Sequence, residues 1–445
     1  MSRTLAPDAT PVPRRRGLAG DVLVTVLGRG FAPLSAIATA PIMAHALGVD
    51  GRGAVAAVTA PLFLATTAAT FGVPGAVTYA IARSVALRSV LVRALLLVVA
   101  AGMVATSLVL VMSEWSAAGD PDLAGLIRLS AAAVVPSLVV LLLQAVASGR
   151  HRWGLVLAER TVTAGVRLVS FALCAAADVL TVEVAVVVLA TTPVLGGIVY
   201  CGLLAPRSPA PVAVRAGSIT TRSMTSYGLR VWIGSISGVL LSRIDQVLMT
   251  PLVGVGALGL YVVAATISEI PRVVSDAARD VTFSADARDR SDERLVRTAR
   301  LSAAAVVSIC ALGAVNLWWA VPLAFGPGFA EAVPATLVLL VATATGSASS
   351  VAGVALVARG RPGARSAAFA ASCVVNLGLV LLLVPAWGVM GAAVATVGGS
   401  VVLFALNSCF LWRYLDLAPH RILGLRRGDV DACLAVLRSR GGGRR

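Results

Sequence analysis

Apolar residues run along this chain in long blocks, not in the short alternations of half-buried strands. Twelve blocks reach about 20 residues or more, the length a helix needs to cross a bilayer core of about 30 Å. They fall at 19–46, 54–80, 89–112, 124–148, 154–177, 182–205, 225–250, 255–276, 298–324, 332–358, 366–385 and 388–412, numbered here as spans 1 to 12. In lipid each crossing segment has to satisfy its own backbone polar groups, so every block predicts a helix. Gly, Ala, Ser and Thr recur at close spacing inside the blocks, as close helix packing in lipid requires. Pro41, Pro61, Pro74, Pro136, Pro193, Pro271 and Pro334 lie inside or near block ends and predict kinks there.

Composition agrees with the pattern. Of the 445 residues, 58% are hydrophobic and 13% charged, against about 25% charged in an average soluble domain. Mean hydropathy is +0.91. The net charge of +16 is carried by arginine alone, because the chain has no lysine. That excludes a P-loop nucleotide site and Schiff-base chemistry, both of which need a lysine. With the N-terminus in the cytoplasm, 30 of the 37 arginines fall on the cytoplasmic side, counting those at the cytoplasmic ends of spans, two (Arg52 and Arg128) in external loops and five deeper inside spans. This is a strong positive-inside signal, and it predicts a multi-pass protein of the bacterial cytoplasmic membrane with both termini inside.

The predicted organisation is a basic disordered tail over 1–18 without signal-peptide character, a six-helix half over 19–205 and a linker over 206–224. A second six-helix half over 225–413 and a basic tail over 414–445 follow. Within that tail, 429–440 reads as either a short amphipathic helix on the inner leaflet or disorder. The charge-dense stretch 277–297 reads as a solvated connector, and no external loop is long enough to hold a domain. His45, His151 and His420 are far apart, and the six cysteines are scattered through apolar runs. Neither set has metal-ligand spacing, so no metal and no cofactor is expected, and the cysteines read as small buried hydrophobes.

One internal match stands out. Residues 47–56 align without gaps on 253–262, with Gly48, Val49 and Gly53 matching Gly254, Val255 and Gly259. Both segments sit at the first hairpin of a six-span half. Six is even, so the halves share one orientation. The fold class predicted is an all-α polytopic membrane protein with twelve transmembrane helices in two parallel six-helix repeats around a central cavity.

The order of motifs then resembles a known family. Pro41, Leu47-Gly48, Gly53, Phe71-Gly72-Val73 and Tyr79 to Arg83 mark the first hairpin. Ser242 to Met249, Ala257 to Tyr261 and Ile270-Pro271 follow in spans 7 and 8. Phe325 to Phe329, Ala358 to Arg361, Asn376-Leu377, Pro385 and Gly388 to Thr396 come later. Over residues 19–413 the chain resembles the polysaccharide-export flippases of the multidrug/oligosaccharidyl-lipid/polysaccharide exporter superfamily. The resemblance implies a V-shaped bundle, with spans 1, 2, 7 and 8 facing the central cavity. It also implies a secondary transporter, not an enzyme, that carries undecaprenyl-pyrophosphate-linked oligosaccharide to the outer leaflet by alternating access for cell-surface polysaccharide biosynthesis. The implied partners are that lipid-linked substrate, membrane lipids, coupling protons or Na⁺, and the polysaccharide polymerase and glycosyltransferases of the same route. Nucleic acid is not among them.

Ionisable residues at membrane depth are costly and mark cavities or partners. Arg29, Arg160, Arg167, Arg230 and Arg243 lie inside spans, and guanidinium forks suit the pyrophosphate that the resemblance implies. Arg160 and Arg167, seven apart, share one face of span 5, with Glu159 beside it. Snorkelling is the alternative for Arg230, snorkelling or pairing with Glu159 for Arg160, and a structural partner helix for Arg167. Asp245 and Glu269 are the deep acids of spans 7 and 8, either coupling-ion sites or counter-charges to a neighbouring arginine. Gln144, Asn316 and Asn376 are expected to hydrogen-bond between helices, and His45 to lie at the interface. Two other functions remain open. A cation-coupled multidrug antiporter of the same superfamily would favour an acidic, aromatic-lined cavity, whereas aromatics are 5% here. A membrane polysaccharide polymerase, ligase or glycosyltransferase would need a catalytic acidic cluster and a sizeable external loop.

Overall fold

The computed structural model describes residues 18–82, 87–203, 221–286 and 292–417. The tails over 1–17 and 418–445 and most of the expected linker lie outside the described residues. The described chain is helical apart from short turns and has no strand. Among the described residues eight helices are long and apolar enough to cross a membrane, which makes this a multi-pass membrane protein. Two of them, Leu34–Ala68 and Pro362–Leu415, turn back at Gly48 (φ 68°) and Gly388 (φ 54°), where spans 2 and 12 are expected to start. Past Gly388 the two arms are in tight antiparallel contact. A Cβ on Gly391 would strike the Leu383 carbonyl, and one on Gly399 would stand 3.0 Å from Asn376 Cβ. The helices for spans 5 and 8 are Trp153–Ala176, which carries Glu159, Arg160 and Arg167, and Val255–Glu269, of 15 residues. Over their described residues the twelve expected segments are helical, apart from the breaks below.

Several kinks fall beside the expected prolines. Span 2 breaks over 69–72, just before Pro74, and span 4 at Ala132-Ala133, just before Pro136. Span 8 breaks at Ile270-Pro271. Pro271 lacks the N–H that the Ile267 carbonyl would accept, so that carbonyl takes the Ile270 N–H instead (3.2 Å), and at the break the Ser268 carbonyl accepts the Thr343 hydroxyl of span 10 at 2.9 Å. Beyond this break the chain departs from the sequence reading. The expected connector over 277–297 is mostly helix, as Arg272–Asp286 and the start of Asp292–Phe325. Tertiary packing decides this. Arg272–Asp286 lies against span 10. Leu295, Val296 and Ala299 bury themselves with Val351, Ala352 and Ala355 of span 10.

Hydroxyls provide most of the polar contacts between helices. Ser35 donates to the Ala164 carbonyl (2.9 Å), Thr78 to that of Ala145 (3.1 Å), and Asn407 Nδ2 to Ser349 Oγ (2.9 Å). The amides expected in that role behave otherwise. Asn316 bonds within its own helix to the Leu312 carbonyl and Trp319, Asn376 is buried with neither amide atom paired, and Gln144 is half-buried. His45 is exposed, with Nδ1 3.1 Å from the Pro41 carbonyl. The five described cysteines are free thiols. Cys310 is buried, but Cys201 and Cys409 are exposed, against the expectation for them. Large apolar side chains crowd the outer face of span 9, where Leu312 is 70% and Val315 78% exposed. That surface suits lipid, not water.

Candidate functional site

The two halves of the chain meet along two related seams. Val49 and Gly53 at the first hairpin face Val255 and Gly259 at the matching one. A Cβ on Gly53 would run into the Val255 carbonyl, and a Cβ on Gly259 into the Val49 carbonyl. The hairpins turn in the same way, at Gly48 (φ 68°, ψ −170°) and Gly254 (φ 87°, ψ 175°). Residues without a Cβ are needed for the left-handed turn and again for the backbone-to-backbone crossing. The short motif found in the sequence is thus a reciprocal contact in space.

From this crossing, span 1 runs along span 8, where Ala40, Ala44 and Val263 share an apolar cluster. Span 2 runs antiparallel to span 7. The Arg243 guanidinium lies 5.9 Å from the Phe63 ring centroid. Further along, Trp232 Nε1 donates to the Ala68 carbonyl at 3.0 Å, and its ring stacks on Phe71 with centroids 5.0 Å apart. The span 2 break makes this possible. Phe71 (φ 41°) and Gly72 (φ 70°) end the helix, which leaves a carbonyl for the indole and turns the Phe71 ring outward.

Arg243 is the expected site residue that sits on a seam. It forms an ion pair with Glu269 at 3.4 Å, so the acid considered for coupling has an arginine neighbour. Arg52, read from the sequence as an external-loop residue, is instead buried at the start of span 2 and close enough to Arg243 for the two charges to repel. The half-buried Arg160 and Arg167 lie on span 5, which packs against span 1, and neither lines the cavity described below. Arg160 lies within electrostatic reach of Glu159, which itself accepts from Thr163 (3.2 Å) and Tyr200 (3.4 Å). Arg167 Nε is buried without a hydrogen-bond partner. Arg29 and Arg230 lie on described helices, but their side chains are outside the described residues.

Asp245 points away from the seam, into a cavity of about 180 Å³ inside the second half. Spans 7, 8, 10, 11 and 12 line it. Their contributions follow helical periodicity: Gly238, Leu241, Ser242 and Asp245 from span 7, and Thr396, Ser400, Leu403 and Asn407 from span 12. Asp245 is 2% exposed. One carboxylate oxygen accepts the Gln246 N–H (2.8 Å), and the other accepts the Tyr261 hydroxyl and, at 3.4 Å, that of Thr396. A buried carboxylate that loses such a donor keeps its desolvation cost without compensation. Tyr261→Phe is therefore expected to lower the stability of the detergent-solubilised protein by about 1–3 kcal/mol. A thermal unfolding midpoint equal to wild type would contradict this. Sequence reasoning missed Tyr261 and Thr396, and also Arg272, Arg279 and Arg365, which line the same cavity.

Among solved structures the fold has clear counterparts. An inward-facing multidrug resistance MATE family transporter of the MOP superfamily matches with TM-score 0.70 and 16% identity, over 88% of this chain and 98% of that one. The lipid II flippase MurJ in an inward closed conformation matches with TM-score 0.70 and 10% identity, over 90% and 89%. A MOP superfamily transporter from Pyrococcus furiosus, described as having a binding pocket of reverse polarity that suggests a different function, matches with TM-score 0.62 and 16% identity, over 88% and 94%. No curated protein matches in sequence. The chain has the fold of these MOP superfamily transporters. Residues 18–281, more than half of the chain, match the family described as polysaccharide biosynthesis protein, and the chain belongs to that family.

Proposed function

We propose that the protein translocates undecaprenyl-pyrophosphate-linked oligosaccharide from the inner to the outer leaflet of a bacterial cytoplasmic membrane, with both termini cytoplasmic. The two halves, 19–205 and 225–413, rock against each other, closing the glycine crossing in one state and opening it in the other, to expose the seam alternately to each side. The observation that carries this reading is Arg243 on the seam between halves, with Arg52 beside it and Phe63 across from it. A cationic, half-buried position between moving halves suits a pyrophosphate. Membership of a polysaccharide biosynthesis family and the shared fold of a lipid II flippase support the same cargo class. Arg29, Arg160, Arg167 and Arg230 remain proposed contacts along the path.

Coupling is assigned to Asp245. It is a buried acid on span 7, two residues along the helix from the seam-facing Arg243 and held by groups from spans 8 and 12. Glu269 acts with it through Arg243. Protonation or Na⁺ binding at Asp245 would change how spans 7, 8 and 12 hold together.

The test is reconstitution of the purified protein in liposomes with a labelled undecaprenyl-pyrophosphate oligosaccharide, following leaflet exposure with and without a proton or Na⁺ gradient. Protein-dependent translocation is expected. Gradient-driven movement of small cationic dyes without any lipid-linked glycan transport would sink the proposal and favour the multidrug antiporter, whose fold the chain shares. In the same liposomes Asp245→Asn is expected to remove the stimulation by the gradient while gradient-free exchange persists. Undiminished stimulation would remove Asp245 from the coupling role.

A further inference from the structure

The cavity inside the second half holds more cationic and hydroxylic chemistry than helix packing requires. Past the Pro271 break, span 8 presents Arg272, Ser275 and Arg279 to it, spaced three and four residues apart along one helix face. Arg365 enters from the first turn of span 11 with its guanidinium 5.4 Å from the Phe369 ring centroid. Its Nε and the Asn407 amide nitrogen each lie 3.3 Å from where a Cβ on Gly353 would stand, so both groups converge on one point. Arg365 and Arg279 are close enough to repel each other.

The three acids of the lining are already engaged. Asp276 pairs with Arg279 at 3.2 Å, Glu269 pairs with Arg243 at 3.4 Å, and Asp245 is held by Tyr261, Thr396 and the Gln246 N–H. Among the described residues neither Arg272 nor Arg365 has a carboxylate partner. Cations clustered in this way, with Arg279 and Arg365 half-buried and Arg272 exposed beside them, are stabilised when an anion joins them. Asn407, 2% exposed, donates to Ser349, but its Oδ1 is buried without a partner. That is an acceptor awaiting a hydroxyl or amide donor. The volume of about 180 Å³ is below the ~300–1,000 Å³ of drug-sized sites, so it admits one head group and not a chain of sugars.

We propose that this cavity is a head-group site. Arg272, Arg365 and Arg279 bind the pyrophosphate of a polyprenyl-linked glycan, and Asn407 with the neighbouring serines receives the hydroxyls of its first sugar. This rests on the proposed function and deepens it. The pyrophosphate that passes Arg243 on the seam is held inside the second half, beyond Glu269, by arginines that the sequence count places on the cytoplasmic side.

The experiment uses the full chain in nanodiscs and measures binding of undecaprenyl pyrophosphate, undecaprenol and inorganic pyrophosphate, followed by translocation in liposomes. Undecaprenyl pyrophosphate is expected to bind and undecaprenol not to. Arg272→Gln and Arg365→Gln are each expected to weaken binding at least about tenfold, and Arg365→Lys less, because the ammonium keeps the charge but loses the fork. Arg128→Gln, remote from the cavity and paired with Glu114, serves as the charge-matched control and is expected to bind as wild type. Arg272 is exposed, so its variant keeps the test valid if Arg365→Gln does not fold. Wild-type binding by both glutamine variants would overturn the site. Binding of inorganic pyrophosphate as tight as that of the lipid, with the same arginine dependence, would overturn the head-group assignment in favour of a free-phosphate site. If the glycan is translocated unchanged by both variants, this inference fails and the proposed function stands. If the lipid binds through these arginines but never crosses, the function fails and the site stands.

Discussion

Gly53→Ala is expected to lower translocation about 5- to 150-fold while leaving the helical content unchanged. The added Cβ would stand closer than 3.0 Å to the Val255 carbonyl oxygen and carbon, which are backbone atoms that no rotamer can move aside. Gly259→Ala meets the Val49 backbone in the same way and is expected to have the same effect. Overpacking of this kind costs about 1–3 kcal/mol. Here the cost falls on the arrangement in which the two hairpins cross. A penalty of that size, borne by one of two alternating states, shifts their ratio about 5- to 150-fold. Transport that needs both states slows. Gly313→Ala, with open space around its Cβ, is the control. The measurement is translocation by the reconstituted variants, with circular dichroism and a thermal midpoint to confirm folding. Wild-type transport by Gly53→Ala would show that the crossing opens without cost and plays no part in the cycle.

Arg243→Ala is expected to lower translocation at least about tenfold with little loss of stability. Its pair with Glu269 is about one-third exposed on both sides, at 32% and 39%. Such pairs contribute about 0–1 kcal/mol. The contact with Phe63 adds about 0.5–1 kcal/mol. Losing both leaves a folded protein. What the variant does lose is the cation on the seam. The charge-swapped double variant Arg243→Glu with Glu269→Arg separates two explanations. If the pair only ties span 7 to span 8, the swap restores transport. If Arg243 receives the anionic cargo, transport stays low, because the cation has moved to span 8. Full rescue by the swap would withdraw Arg243 from cargo binding.

Much of the architecture was legible before any coordinates. The apolar blocks located helices in every expected segment, because crossing lipid demands length and internal hydrogen bonding from each segment alone. The hairpin glycines were legible too, because a left-handed turn and a backbone crossing both exclude side chains, and the two halves need them at equivalent places. Asp245 and Glu269 drew notice as acids inside apolar runs, but their opposite surroundings did not show. Asp245 sits among Tyr261 and Thr396, from residues 16 and 151 positions away, whereas Glu269 faces Arg243.

The arginines mark the boundary between the two kinds of information. Counting them by side of the membrane predicts topology, and the same count treated Arg272, Arg279 and Arg365 as cytoplasmic charges and Arg52 as an external one. Two signals could have corrected this. A proline at 271 is followed by polar residues at 272, 275 and 279, and span 12 repeats Thr396, Ser400 and Asn407 on one face. Both are helical stripes without a lipid-facing use. Single-chain patterns report how each segment meets its solvent, and lipid is uniform, so span existence, turn glycines and charge asymmetry were determined by the sequence itself. Which polar stripes face one another depends on how spans 7, 8, 10, 11 and 12 pack, through contacts between residues tens to hundreds of positions apart. That convergence, which creates the cavity and sets Arg243 on the seam, was decided only in the tertiary structure.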